Sequence, residues 1–248
     1  MLHIDHHGEV AVIRMDRPPA NALDHALVDA LLSALDGVQA SGARALILTG
    51  RPGMFSGGLD VPALIDCKRP DIERFWQQFF LLTCRLASSP VPVIAALSGH
   101  APAGGAVLAL QCDYRIGVHG NFRIGLNEVQ VGLPVPATIL LALEEVIGTR
   151  WMRRIATRGS LLPMAEALGI GLVDELVDPD KLMPTAVARA QELLSLPPVA
   201  MNTTRLAGKA RLIEAYANCA DVTVATDWWF SAETQAEMRK LVERLTKK

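Results

Sequence analysis

No uninterrupted apolar run in this 248-residue chain approaches the roughly 18 to 20 residues that a bilayer-spanning helix needs. A soluble protein without a membrane partner is therefore expected, despite a mean hydropathy of +0.26. Basic blocks are missing too: 24 Lys and Arg face 26 Asp and Glu, for a net charge of −2, which leaves no electrostatic footprint for nucleic acid or an anionic lipid surface. Cysteine is sparse, with Cys67, Cys84, Cys112 and Cys219 scattered and no CxxC pair. A secreted disulfide scaffold is excluded, and reduced thiols, mostly in the core, are expected. The start of the chain carries His3, Asp5, His6 and His7, where a leader would need an apolar or Arg-rich stretch. Those histidines also lack the spacing and carboxylate company of a zinc site. A cytoplasmic protein with no metal is the expectation.

What is present is half hydrophobic and one-fifth charged, enough for one sizeable core or two. Val10 to Met15 and Ala45 to Thr49 are β-branched, apolar runs, and between them Ala22 to Gln39 carries apolar residues at helical spacing. That pattern is a β-α-β unit. Val91 to Leu97, Cys112 to Val118, Phe122 to Gly125 and Val173 to Val177 add strands, while Asp71 to Ala87 and Gly105 to Gln111 read as helices. The alternation gives an α/β class. Beyond about residue 136 the segments Ala137 to Ile147, Arg150 to Arg158, Lys181 to Leu196, Met201 to Tyr216 and Ser231 to Thr246 read as helices. The division expected is an α/β core over 1–195 and a helical assembly region over 196–248. No internal sequence repeat is visible.

Two segments share one plan. The strand ending at Thr49 runs into Arg51-Pro52-Gly53-Met54-Phe55-Ser56-Gly57-Gly58-Leu59-Asp60, and Ile94 to Leu97 runs into Ser98-Gly99-His100-Ala101-Pro102-Ala103-Gly104-Gly105. Paired glycines after a strand let the backbone come close to a ligand and leave peptide N–H groups free to donate, so two such loops can converge on one oxyanion. Neither loop matches GxGxxG, GxxxxGK[ST] or G-x-S-x-G, which removes the nucleotide fingerprints and the nucleophile elbow. A third segment, Ile124 to Leu133, sets Glu128 among apolar residues, where desolvation raises a carboxyl pKa toward the range of a general base. Taken singly, each has a plain alternative: glycine pairs make turns, and Glu128 is an exposed loop carboxylate.

Taken together and in this order, the segments resemble the enoyl-CoA hydratase/isomerase, or crotonase, family. The resemblance rests on Arg51 to Val61 (RPGMFSGGLDV), Gly99 to Ile116 (GHAPAGGAVLALQCDYRI), Ile124 to Gly132 (IGLNEVQVG) and Ala165 to Val177 (AEALGIGLVDELV). It implies a spiral of β-β-α units with a helical C-terminal region, an acyl-CoA thioester as substrate, and assembly as a homotrimer or a dimer of trimers. No separate cofactor is implied, since coenzyme A belongs to the substrate. Matching the motifs assigns oxyanion-hole N–H groups to Gly57 and Gly104 and a catalytic carboxylate to Glu128. Substrate contacts transfer to Ser56, Gly58, Leu59, Asp60 and Asn127, and to Ala20 and Ala22 in Arg17 to Leu23, which is similar to the family's CoA-side loop.

One departure from the family pattern bears on the reaction. Hydratases of the family carry a second glutamate three residues after the second oxyanion glycine, and here that position is Val107. A single base suits a 1,3-proton shift rather than hydration, and APAGG, CDYRI, GLNE and RPGxFSxGLD look most like the mitochondrial-type 3,2-enoyl-CoA isomerases. The chain reads Leu133-Pro134-Val135-Pro136 after the base, and Val107, Leu133 and Val135 would dry the pocket. The resemblance thus implies an isomerase of fatty-acid β-oxidation; a hydratase, another acyl-CoA lyase or hydrolase, or a non-catalytic acyl-CoA-binding protein are the rivals. Of the other residues, His100 is expected to serve through its backbone, Asp60 to cap a helix and Asp113 to hydrogen-bond structurally. Trp228, Trp229 and Phe230 are expected in packing or subunit contact. Ser231 and Gln235 are placed to start an amphipathic last helix, and Lys247 and Lys248 suit its negative end.

Overall fold

The structure is a computed structural model that describes residues 1–217 and 221–246; Cys219, Lys247 and Lys248 lie outside the described residues. In chain order the elements are β1 (Leu2–His7), β2 (Val10–Met15), α1 (His25–Ala40), β3 (Ala45–Thr49), β4 (Gly53–Met54), α2 (Val61–Leu64), α3 (Arg69–Ala87), β5 (Val93–Leu97), β6 (Gly99–Pro102), α4 (Gly104–Gln111), β7 (Tyr114–Val118) and β8 (Arg123–Gly125). A 3₁₀ turn (Glu128–Val131) leads to α5 (Ala137–Ala156), β9 (Leu162–Pro163), α6 (Met164–Gly169) and β10 (Glu175–Val177). After a second 3₁₀ turn (Pro179–Lys181) come α7 (Leu182–Leu194), α8 (Pro198–Gly208), α9 (Ala210–Ala217), α10 (Asp221–Trp229) and α11 (Ala232–Thr246).

Six strands form one sheet in the order β1-β2-β3-β5-β7-β10, parallel except for the β1–β2 hairpin. A parallel sheet must be covered on both faces, so its strands read as continuous apolar runs. The alternation of side chains sorts them: Val12, Ile47, Ile94 and Ile116 pack under α7, whereas Ile13, Leu46, Leu48 and Ala95 face the main core. A second sheet, β4-β6-β8-β9, is assembled from the segments that follow β3, β5 and β7. Three times, then, the chain sends one strand to the large sheet and the next to the small one, which is the spiral of β-β-α units expected of the crotonase fold.

This topology brings the two glycine loops together. β4 and β6 lie inside them and pair in parallel, with Gly53 opposite Gly99 and Met54 opposite His100. Several boundaries differ from the sequence reading. The histidine-bearing start is the edge strand β1, largely exposed, so only Leu2 and Ile4 mark it. α5 runs through both expected helices but breaks at Gly148 (φ 75, ψ 157), and the helix expected over Met201 to Tyr216 is two, α8 and α9. Trp228 and Trp229 precede the last helix as expected and themselves end a helix, α10, that the sequence reading did not include. Among the described residues, no helix is long and apolar enough to cross a membrane.

Candidate active site

The loop from Arg17 to Asp24 is organised by Asn21, which is fully buried and has φ of 48. Its side-chain amide donates to the carbonyls of Met15, Met54 and Phe55, and its Oδ1 accepts the Arg17 N–H at 2.7 Å. The Ser56 hydroxyl donates to Asn21 O at 2.8 Å, and the Gly58 N–H points back to Ser56 Oγ at 3.3 Å. Ser56 is thereby spent on the scaffold. Arg17 reaches Ala22 O, Asp24 and Asp60, the last at 2.8 Å, while Asp60 caps α2 by accepting from the Ala63 N–H. The first loop is thus held against the Arg17–Asp24 loop along its whole length.

One consequence corrects an expectation. The Gly57 N–H donates to Ala20 O at 2.8 Å, so it is not free for an oxyanion. Further along, Leu23 N–H donates to Gly58 O and Asp60 N–H to Leu23 O, which leaves the Leu59 N–H between them without a partner among the described residues. On the second loop, Ala103 adopts φ 45 and ψ −121, a sparsely populated region for a residue with a Cβ, and starts α4. The Gly104 N–H heads that helix, where no intrahelical acceptor exists. The loops touch: a Cβ on Gly58 would stand 2.9 Å from the Ala103 Cβ and 3.2 Å from Gly104 N.

Leu59, Gly104 and Glu128 line one pocket, together with Val107 from α4, Trp76 and Phe79 from α3, Leu133, Pro136 and Ile139. Its free space is about 20 Å³, room for about one water. Glu128 stands on the 3₁₀ turn after β8 and is only 9% exposed. Its Oε2 is buried with no hydrogen-bond partner among the described residues, as is Oδ1 of the neighbouring Asn127. Burial pushes the Glu128 carboxyl from 4.5 up to about 7, partly opposed by a hydrogen bond from its own backbone N–H. Glu128 is the one carboxylate among the described residues that line the pocket. Two larger cavities, about 630 and 580 Å³, share no lining residue with it. The ionisable groups of the first, Asp5, His7, Arg14 and Asp180, are all exposed.

Of the residues singled out in the sequence, Glu128, Gly104 and Leu59 therefore meet at one place. Ala20, Ala22, Ser56, Gly57, Gly58 and Asp60 form the frame behind it, and Asn127 flanks Glu128. Trp76, Phe79 and Ile139 were not found from the sequence, because nothing distinguishes a pocket wall from ordinary core on an amphipathic helix. His100 accepts from the Arg123 N–H through Nδ1 at 3.2 Å and stays outside the pocket. Among the described residues, no cluster suited to a metal ion occurs.

The model of the enoyl-CoA hydratase/isomerase family matches residues 5–247. The human mitochondrial enoyl-CoA delta isomerase 1 is 33% identical over 243 residues, covering 95% of this chain and 80% of that protein. The crystal structure of the human mitochondrial delta3-delta2-enoyl-CoA isomerase superposes with a TM-score of 0.96 at 30% identity, over 99% of this chain and 98% of that one. An enoyl-CoA hydratase from Mycobacterium ulcerans superposes with a TM-score of 0.82 at 28% identity, over 95% and 98% of the two chains.

Proposed function

Because the chain belongs to the enoyl-CoA hydratase/isomerase family, we propose that it is an enzyme of acyl-CoA metabolism that shifts the double bond of a 3-enoyl-CoA to give the 2-trans-enoyl-CoA. The observation that carries the choice of reaction is the pairing, in one pocket, of a single carboxylate, Glu128, with Val107 where a hydratase has its second glutamate. Hydration needs one group to activate water and another to deliver a proton. An allylic shift needs one group that takes a proton and gives it back.

In the proposed reaction the Glu128 carboxylate removes a proton from C2, and the electron pair of that C–H bond moves into the dienolate, with the negative charge on the thioester oxygen. The N–H groups of Leu59 and Gly104 are the donors for that oxygen. Glu128, now protonated, returns the proton to C4, and the double bond settles between C2 and C3. A carboxyl at about 7 is matched to both halves of this cycle near neutral pH, since it is neither too weak a base nor too weak an acid. Leu133, Val107 and Ile139 keep water from competing for the proton. Coenzyme A enters only as part of the substrate. Assembly as a homotrimer or dimer of trimers, with residues 196–248 as the assembly region, belongs to the same proposal and is checked by light scattering.

The test is conversion of 3-enoyl-CoA to 2-enoyl-CoA, run beside hydration of 2-enoyl-CoA, for the wild type and Glu128→Gln. Isomerisation that collapses in the variant, with little hydration by either protein, is expected. Hydration by the wild type at a comparable rate would move the chain to the hydratases, and acyl-CoA binding with no turnover of either substrate would make it a binding protein.

A further inference from the structure

The turn that carries Glu128 is held from outside by the last helix. Thr234, in the first turn of α11 and 0% exposed, donates its hydroxyl to the carbonyl of Gly132. Thr234 Oγ1 itself accepts the hydroxyl of Ser231 at 2.9 Å, and Ser231 Oγ in turn accepts the Thr234 N–H at 3.3 Å. Gly132 closes the 3₁₀ turn in the left-handed region, with φ of 71. A Cβ at Gly132 would stand 3.1 Å from Thr234 Cα, so the contact runs from backbone to backbone. The next residue, Leu133, donates its N–H to Glu128 O at 3.1 Å and puts its side chain in the pocket.

Catalytic bases are ordinarily oriented by a third group hydrogen-bonded to them, yet among the described residues Glu128 Oε2 has no such partner, and the hydrogen bond its carboxyl does receive comes from its own backbone N–H. The backbone of its turn must then supply the orientation. We propose that Thr234 is a positioning residue for Glu128: through Gly132 O it fixes the closing peptide of the turn, and so the last helix sets where the base stands. This rests on the reading of Glu128 as the base. A neutral hydroxyl buried in the first turn of a terminal helix serves packing no better than a valine of the same shape; its hydrogen bond is what distinguishes it.

The experiment compares Thr234→Val, which keeps the shape and loses the hydroxyl, with Thr234→Ser, which keeps the hydroxyl. Thr234→Val is expected to lower kcat for the allylic shift ~10- to 100-fold, as a misplaced catalytic group does, with KM little changed; Thr234→Ser is expected to restore most of it. Ser231→Ala tests the relay from its half-buried end without touching the core, and is expected to lower kcat by about 3-fold. Amide hydrogen exchange at Leu133 reads the same link without any turnover, and should quicken in Thr234→Val and not in Thr234→Ser. A Thr234→Val enzyme with wild-type kcat and unchanged Leu133 exchange would overturn the proposal, as would equal losses in the Val and Ser variants. Failure of the underlying reading looks different: Glu128→Gln would then retain activity while the Leu133 exchange still reported the Thr234 contact.

Discussion

The indole of Trp76 meets that of Trp229 edge-on, with ring centres 6.2 Å apart and planes at 76°, so the wall of the Glu128 pocket is backed by α10. Trp76 also stacks on Phe80 at 5.7 Å and meets Phe79 and Phe75 edge-on. A ring held on four sides by rings does not yield to a ligand. The indole N–H of Trp76 is buried without a partner among the described residues, which points to bulk as the property this position uses.

Trp76 and Phe79 line the Glu128 pocket, and the acyl tail beyond C4 of the proposed substrate is expected to be limited by that wall. Trp76→Ala is expected to raise kcat/KM for 3-dodecenoyl-CoA relative to 3-hexenoyl-CoA by ~10-fold or more, since each methylene accommodated in an apolar pocket carries that scale of discrimination. The same change should lower stability by about 3 to 5 kcal/mol. Competition between the two thioesters reads the selectivity, and an unchanged ratio would remove Trp76 from the choice of chain length.

Gly104 leaves no room for a side chain. A Cβ there would lie 2.8 Å from Cδ1 of the fully buried Leu23 and 3.3 Å from Gly58 Cα, so in Gly104→Ala the Leu23 side chain and the Gly58 backbone must shift to make room. On the proposed reaction this displaces the Leu59 and Gly104 N–H donors, and kcat is expected to fall ~100-fold or more, the scale of losing one oxyanion donor. Steady-state kinetics at an unchanged circular-dichroism spectrum checks this; a variant with near-normal kcat would place the oxyanion elsewhere.

The strands β2, β3 and β5 were legible because buried parallel strands are uninterrupted apolar runs. β1 was not, since as an exposed edge it carries histidines and Asp5 between its two apolar residues. The two-residue strands β4 and β9 are too short to show any period, and α10 begins D-V-T-V, β-branched residues that argue against a helix until its packing on α3 is known. At the site, the glycine loops and Glu128 stood out by motif and by apolar surroundings. Which N–H of the first loop is free was not readable, because it depends on Ala20 O, supplied from a distant part of the chain. Trp76 could not be separated from Phe75, Phe79 and Phe80, which share its helix and its burial.

Asp113 answers its expected structural role with a charge cluster. Its carboxylate, 10% exposed, accepts the Val93 N–H at 2.7 Å and pairs with Lys209 at 2.6 Å and Arg205 at 3.3 Å. Those cations come from α8 and the α8–α9 junction and also bind Ser89 O and Gln111 O, so one carboxylate ties the C-terminal helices to the start of β5. Asp113→Ala leaves two largely buried cations facing each other and is expected to cost about 3 to 5 kcal/mol. Urea denaturation measures it; a loss below about 1 kcal/mol would mean that solvent reaches the cluster.

Glu128 should push activity and stability in opposite directions with pH. The proposed reaction starts from the carboxylate, so kcat/KM is expected to rise with pH and reach half its limit near the folded pKa of about 7. For stability, the folded chain keeps its proton from pH 4.5 to about 7 while the unfolded chain releases it. The folded state therefore binds more protons across that window, and stability falls as pH rises through it, then levels off. At about 1.4 kcal/mol per pH unit the full effect is ~3 kcal/mol. Glu128→Gln stays neutral and escapes the penalty, so the variant should be more stable than the wild type by up to ~3 kcal/mol at pH 8, with the gap closing toward pH 4.5. Chemical denaturation of both proteins at pH 5 and pH 8 decides it, because a gap of equal size at the two values would mean that the carboxyl does not titrate in this window and that its burial is not what equips it as a base.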